Sequence, residues 1–407
     1  MKVGRLAKIT MLPILLIATV FLAAIFSCAE KPKEEVLEAV EGAIAPGETI
    51  LIGTSGPQTG PVSTLGIIQR SMKTYFDAIN AEGGINGRKI ELIVLDDAYD
   101  PSKTQANVIK LVEDEKVFAI VGILGAANIG AVIDYIDRSD VPWVGLIAGN
   151  RAPSTPPRDN IFVGSPEHYF EAKILLNYTV DEIKVKKIGI LYQNDAFGKE
   201  GLTGAREAAE KSGISLVARV PYEVMDTDFS AHALAMMNSG AEAVLLYGHT
   251  PKVSLFVKAS SALDYKPIYI GSTTVNDTKM FDLTGEAWDG AMVGAYNPDP
   301  FGDSDGAKWY REALDEYATK VDNVVGSMSM KGFYYADFLV EGLKRTEEPL
   351  TRENFIKTMN SFKNVDGKFI HDVTYNSENH GGPNSFCIMK ADYETKSYKK
   401  ITDWLSP

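Results

Sequence analysis

Cysteine and histidine are scarce in this chain. Of 407 residues only Cys28 and Cys387 are cysteines and five are histidines. If Cys28 carries lipid, as its surroundings suggest below, no intramolecular disulfide can form. His168, His232, His249, His371 and His380 show neither HxxxH nor paired-cysteine spacing, so no metal site is expected. There is no GxSxG elbow and no recognisable nucleophile–base arrangement. Gly198-Lys199 lacks the upstream glycine of a phosphate-binding loop, and Gly122–Gly130 lacks the paired glycines of a dinucleotide fingerprint. No cofactor and no catalysis are expected. Excess positive charge is also missing. The formal charge is −13, and loss of residues 1–27, with three cations and no acid, would take it to −16. Such a surface repels phosphate backbones, so nucleic acid is excluded as a partner.

What is present begins with an export signal. Lys2, Arg5 and Lys8 precede an apolar run from Ile9 to Phe26, followed by Ser27-Cys28 and then Glu30-Lys31-Pro32-Lys33. This order of charge, apolar run and small residue is secretory. A retained N-terminal anchor is the alternative, since about eighteen apolar residues reach the lower range for a membrane span. Cleavage is preferred, because Ile25-Phe26-Ser27-Cys28 is similar to a lipobox, whose cysteine is lipidated. Either way the folded part is placed in the periplasm or outside the cell, tethered to a membrane. Residues 28–47 read as that tether. Cys387, in the apolar run Ser385–Met389, reads as a buried, inert thiol.

From Thr49 onward strand and helix patterns alternate. Strands are predicted over Thr49–Gly53, Lys89–Leu95, Val117–Gly122, Trp143–Ile147, Lys187–Tyr192, Ile214–Val220, Ala243–Tyr247 and Pro267–Gly271. Helices are predicted over Ile67–Asn80, from Asp100-Pro101 through Val112, and over Asn128–Arg138, His168–Glu182, Gly198–Ser212, Phe229–Ser239 and Pro251–Leu263. Asp100 is a candidate N-cap with Pro101 at the first helical position. Beyond Gly294 longer helices follow, around Trp309–Lys320, Met328–Arg345 and Thr351–Phe362, and a β-like segment closes the chain from Phe369 to about Tyr398. This rhythm predicts parallel sheets covered by helices on both faces, in two similar lobes joined near Arg158–Ser165. Ligands of open α/β sheets sit at the strand carboxyl ends, where helix N-termini offer free N–H groups. Asp96-Asp97, at one such end, reads as a solvated terminus or a capping pair.

Five segments carry a resemblance. Gly53–Gly60 (GTSGPQTG), Ile79–Arg88 (INAEGGINGR), Leu95–Pro101 (LDDAYDP), Val117–Gly122 (VFAIVG) and Leu191–Gly198 (LYQNDAFG) come in the order and spacing of the branched-chain amino-acid-binding type of ABC substrate-binding protein. The resemblance implies a periplasmic binding protein type I fold: two doubly wound parallel-sheet lobes joined by a three-stranded hinge. It assigns 48–164 plus 296–372 to an N-terminal lobe and 165–295 plus 373–407 to a C-terminal lobe. It further implies a monomer that captures a small solute by hinge closure and delivers it to an ABC permease. A ligand-presenting subunit for a membrane sensor is the alternative function, and an extracytoplasmic enzyme ranks last.

The resemblance also nominates ligand contacts. In the N-terminal lobe these are Ser55, Leu65, the loop Ala126, Ala127 and Asn128, and the loop Ala148, Gly149 and Asn150. The family's hydroxyls for the ligand carboxylate are missing from those two loops, so Asn128 or Asn150 is expected to substitute. In the C-terminal lobe Phe197 matches the stacking aromatic and His249 a second contact, with a helix-capping role for His249 as the bland alternative. The family's acid for a ligand ammonium falls at Thr273, where the sequence has no acid until Asp277; Asp195 is the nearest substitute. A buried ammonium without a carboxylate is costly, so the expected solute is neutral or anionic: an amide or an organic carboxylate ahead of a standard amino acid.

Overall fold

Two runs of strand–helix alternation build two separate parallel sheets. The computed structural model describes residues 42–60, 62–149 and 151–406; Cys28 and the lipobox lie outside the described residues. The first run comprises β1 (Ile50–Gly56), α1 (Ile67–Ala81), β2 (Ile90–Asp96), α2 (Pro101–Glu113), β3 (Ala119–Val121), α3 (Ala126–Asp137), β4 (Trp143–Leu146) and β5 (Ile161–Val163). Its strands form one all-parallel sheet in the order β2-β1-β3-β4-β5. The second run comprises α4 (His168–Asp181), β6 (Ile188–Gln193), α5 (Ala196–Lys211), β7 (Ala218–Tyr222), α6 (Ser230–Asn238), β8 (Ala243–Tyr247), α7 (Thr250–Ala262), β9 (Ile268–Gly271), α8 (Lys279–Thr284) and β10 (Met292–Ala295). The chain then supplies α9 (Asp305–Tyr317), α10 (Ser327–Arg345), α11 (Arg352–Met359), β11 (Cys387–Asp392) and β12 (Ser397–Lys400). The last two strands pair antiparallel and extend the second sheet to β12-β11-β10-β9-β8-β6-β7. The doubly wound α/β class predicted from the alternating pattern is the class observed.

Each sheet carries apolar cores on both faces, which is why its strands read as unbroken apolar runs. On the first sheet Val108 and Leu111 of α2 and Ile129 and Val132 of α3 cover one face. The other is covered by Met72 and Tyr75 of α1 with Tyr310, Phe333 and Phe355 of α9, α10 and α11. Helices from late in the chain therefore complete the early sheet. The chain passes between sheets three times: from β5 into α4, from β10 into α9, and from Tyr375 to β11. Tyrosines pin these crossings. Tyr335 on α10 bonds to Ser165 at 2.7 Å and to Tyr296 at 2.9 Å, while Tyr334 donates to the Gly164 carbonyl and Tyr375 to that of Val163.

Four predicted elements differ. The strand predicted over Ile214–Val220 begins only at Ala218. Gly213, at φ 70°, ends α5, and the Ile214 N–H returns to the Ala209 carbonyl at 2.9 Å, so Ile214 completes a helix cap. The helix predicted over Trp309–Lys320 starts earlier, because the Ser304 hydroxyl accepts the Ala307 N–H. The helix predicted over Thr351–Phe362 is shorter, with Thr351 outside it as the N-cap. The segment Phe369–Tyr398 is strand only in β11 and β12. At its start the buried Asp337 carboxylate takes the Phe369 and Ile370 N–H groups at 2.7 and 3.1 Å, replacing a strand partner. Asp100 caps α2 through the Ser102 N–H.

Cys387 begins β11, is 3 % exposed, and its thiol is pushed up to about 11 by burial. A protein of residues 29–407 should leave it unlabelled by a thiol reagent at pH 8 when native and label one equivalent when denatured. Rapid labelling of the native protein would mean that β11 opens.

Candidate functional site

The carboxyl ends of both sheets' parallel strands, with the start of α10, contribute to one cleft between the lobes. On the first sheet's side, the strand ends lead into the loop after β1, the β3–α3 turn and the segment Ile147–Gly149. Asp96 organises the first of these loops: its carboxylate accepts the Gln58, Thr59 and Ala98 N–H groups. The Thr59 hydroxyl, with these N–H groups, lowers it to about 2. Its neighbour Asp97 is not solvated, as expected from sequence, but buried, accepting from Ser55, Thr104 and the Tyr99 N–H at 2.8–3.0 Å. The Ser55 hydroxyl is thus directed into the lobe. Asn128 is also turned inward, donating to Thr104 on α2 at 2.9 Å. Ala126 and Ala127 stand exposed at the start of α3, which has no side-chain cap, so their N–H groups face open space. Leu65 is half-buried with Ile67, Ile147 and Met328 on the cleft-side margin of the core. Ala148 is buried, Gly149 is half-buried, and Asn150 lies outside the described residues.

The opposite wall is aromatic and ionic. Phe197, in the first turn of α5, stacks on the His249 ring at 5.1 Å and meets His168 edge-on at 4.6 Å and Tyr247 at 5.8 Å. His249 occupies the N-cap position of α7 but makes no capping bond; its ring is exposed to the cleft. Crowding by protein, then the charge of His168, hold its pKa below the ordinary imidazole value, so it is neutral at pH 7. Asp195 is consumed locally, capping α5 through Gly198 and accepting from Gln193. The two lobes touch where the His168 N–H donates to the Gly149 carbonyl at 2.8 Å. A β-carbon on Gly149 would collide with the His168 ring, which is why that loop needs glycine.

Thr273 is not acid-free. The Glu171 carboxylate, 1 % exposed on the first turn of α4, accepts the Thr273 N–H at 2.5 Å and faces His168 Nδ1 at 3.3 Å. A carboxylate therefore stands where the sequence neighbourhood of Thr273 offered none, delivered from a helix 102 residues earlier. The argument against an ammonium-bearing solute loses its premise. Facing this wall from α10 is Lys331, its Nζ 5.6 Å from the Tyr296 ring centroid.

Gly149, Phe197, His249 and Thr273 are brought together by His168 and Glu171, two residues that sequence reasoning missed. Glu171 gave no local signal, being one acid in an ordinary amphipathic turn. Lys331 did: a single cation in Met-Lys-Gly-Phe-Tyr-Tyr is out of place in a core helix. Among the described residues no three His, Cys, Asp or Glu side chains converge as a metal site requires, and no helix is long and apolar enough to cross a membrane.

Two parallel sheets facing each other across such a cleft are a shared architecture. The sequence pattern of the family described as periplasmic binding protein matches residues 49–397. The chain belongs to that family. Its members are solute-binding proteins, not enzymes. Among curated relatives, this periplasmic binding protein is 22 % identical over 307 residues to the leucine-, isoleucine-, valine-, threonine- and alanine-binding protein of Pseudomonas aeruginosa, covering 74 % of this chain and 79 % of that one. It is 27 % identical to Leu/Ile/Val-binding protein homolog 3 of Brucella melitensis, over 60 % of this chain and 66 % of the relative. In fold it matches a branched-chain amino acid ABC transporter protein from Thermus thermophilus with bound valine (TM-score 0.76, 19 % identity, 89 % and 98 % covered). It also matches a fatty acid ABC transporter substrate-binding protein from Thermomonospora curvata (TM-score 0.75, 21 % identity, 90 % and 95 % covered). One fold thus serves chemically different ligands, and the side chains of the cleft decide between them.

Proposed function

We propose that this protein is the solute-binding component of an ABC importer, capturing a small organic molecule between its lobes and presenting it to a permease. The observation that carries the reading is the stacked Phe197–His249 pair beside the Glu171–Thr273 contact, at the mouth of a cleft spanned by three crossings. An aromatic face with a few fixed polar groups suits a solute of amino-acid, amide or carboxylate size. Contacts from both lobes favour the closed form, so binding and closure are linked. The signal and Cys28 support an extracytoplasmic, lipid-tethered monomer. Nominated contacts are Leu65, Ala126, Ala127, Ala148, Gly149, Asn150, Phe197, His249 and Thr273, joined by His168 and Glu171; Ser55, Asn128 and Asp195 act by shaping the loops.

The test is a thermal-shift screen of residues 29–407, refolded to remove carried ligand, against branched-chain amino acids, amides, and aromatic and aliphatic carboxylates. A ligand at a hundred times its Kd should stabilise the protein by about 2.7 kcal/mol. One class responding, with stoichiometric retention and no turnover, supports the proposal. Silence from every class, or conversion of the compound, counts against it.

A further inference from the structure

One charged group in the cleft has no partner. Lys331 lies on α10, between the buried Met330 and Phe333, so its backbone is fixed in the core that completes the first sheet. Its side chain reaches toward the other lobe. The charges it senses are Glu171 and Asp277, His249 in turn senses it, and all three belong to the segment that builds the second sheet and its helices. Its ammonium makes no hydrogen bond or ion pair with a described residue, and crowding by protein pulls its pKa below the ordinary lysine value. Nearby acids do not satisfy it. Glu171 is turned to the Thr273 N–H and His168, and Asp277 to the Lys279 N–H. Three donors on a half-buried cation are left facing the cleft. An unpaired charge in such a place is costly unless a partner arrives.

We propose that Lys331 is the anion receptor of the cleft: the solute carries a carboxylate, which the ammonium pairs with as the lobes close. The assignment rests on the solute-binding reading and narrows its ligand class from amides, amino acids and carboxylates to those with a free carboxylate. A charge-assisted hydrogen bond formed only in the closed state contributes to closure as well as to specificity.

Matched acid and amide pairs test it: leucine and leucinamide, benzoate and benzamide, hexanoate and hexanamide, measured by calorimetry on wild type, Lys331→Met and Lys331→Arg. The acid of at least one pair should bind, with its amide at least about tenfold weaker. Lys331→Met should weaken the acid by about 10- to 100-fold, the worth of one hydrogen bond to a charged group. Lys331→Arg should retain most of the affinity. Ligand-free Lys331→Met should melt no lower than wild type, since no bond in the free protein is lost; a structural lysine would lower the melting temperature. Equal binding of acid and amide, or unchanged affinity in Lys331→Met, overturns the receptor assignment while leaving solute binding intact. Silence from all six compounds overturns the solute-binding reading for these classes, and the assignment falls with it.

Discussion

Replacing Glu171 with leucine should cost about 2 kcal/mol of stability and remove most of the solute affinity. The stability loss follows from the Thr273 N–H, whose residue is 7 % exposed and whose acceptor is the Glu171 carboxylate. Leucine leaves that donor buried without a partner, a penalty of about 1–3 kcal/mol. The affinity loss follows from position. Thr273 opens the turn after β9, His168 packs against Phe197, and both lean on the same carboxylate. Without it the aromatic wall and the turn lose their common anchor. Glu171→Gln separates the two effects. Its amide oxygen can still accept from Thr273, so stability should stay within about 1 kcal/mol of wild type. Its lost charge should still weaken a solute that bears an ammonium while leaving a simple carboxylate nearly unaffected. Urea melts and calorimetry on both variants would decide. Wild-type affinity in Glu171→Leu for every solute that binds would remove the residue from the site.

Gly332→Val should be the most damaging single change in the N-terminal lobe, destabilising by about 3 kcal/mol or more. A β-carbon at Gly332 would fall on the Ile68 carbonyl oxygen and lie 2.6 Å from Ser71 Cβ and 3.0 Å from the Met72 nitrogen. Two of these three obstacles are backbone atoms of α1, so relief requires moving a whole helix in a close-packed core. Valine adds two methyl groups to that clash. Alanine should be milder, because its gain in helix propensity over glycine, about 1 kcal/mol, offsets part of the strain. Gly332 also neighbours Lys331. Any separation of α1 from α10 shifts the ammonium relative to the opposite wall, so even Gly332→Ala should weaken carboxylate binding. The denaturation midpoint measures the first effect and the Kd the second. A valine variant as stable as wild type would show that α10 can slide without cost.

Much of the fold was readable because its signals are local. The βαβ rhythm, the Asp100-Pro101 helix start and the apolar strand over Ala243–Tyr247 each depend on residues within a few positions of one another. The errors came where a distant partner replaced the local one. Phe369 and Ile370 look like strand, but the Asp337 carboxylate takes their N–H groups. Asp97 looks like a solvated strand end, but Ser55 and Thr104 enclose it.

By itself the sequence determined the export signal, the α/β class, the family resemblance and the loops that face the cleft, since each is written in short-range composition and spacing. Only the tertiary structure decided which groups point into that cleft. Ser55 and Asn128 turn inward to neighbouring elements, Glu171 crosses 102 residues to stand at Thr273, and Lys331 arrives on a helix from the chain's last third. The physical reason is that a binding site is a juxtaposition of side chains from separate elements. Its charges are compared across the gap between two lobes, a distance that sequence spacing does not measure.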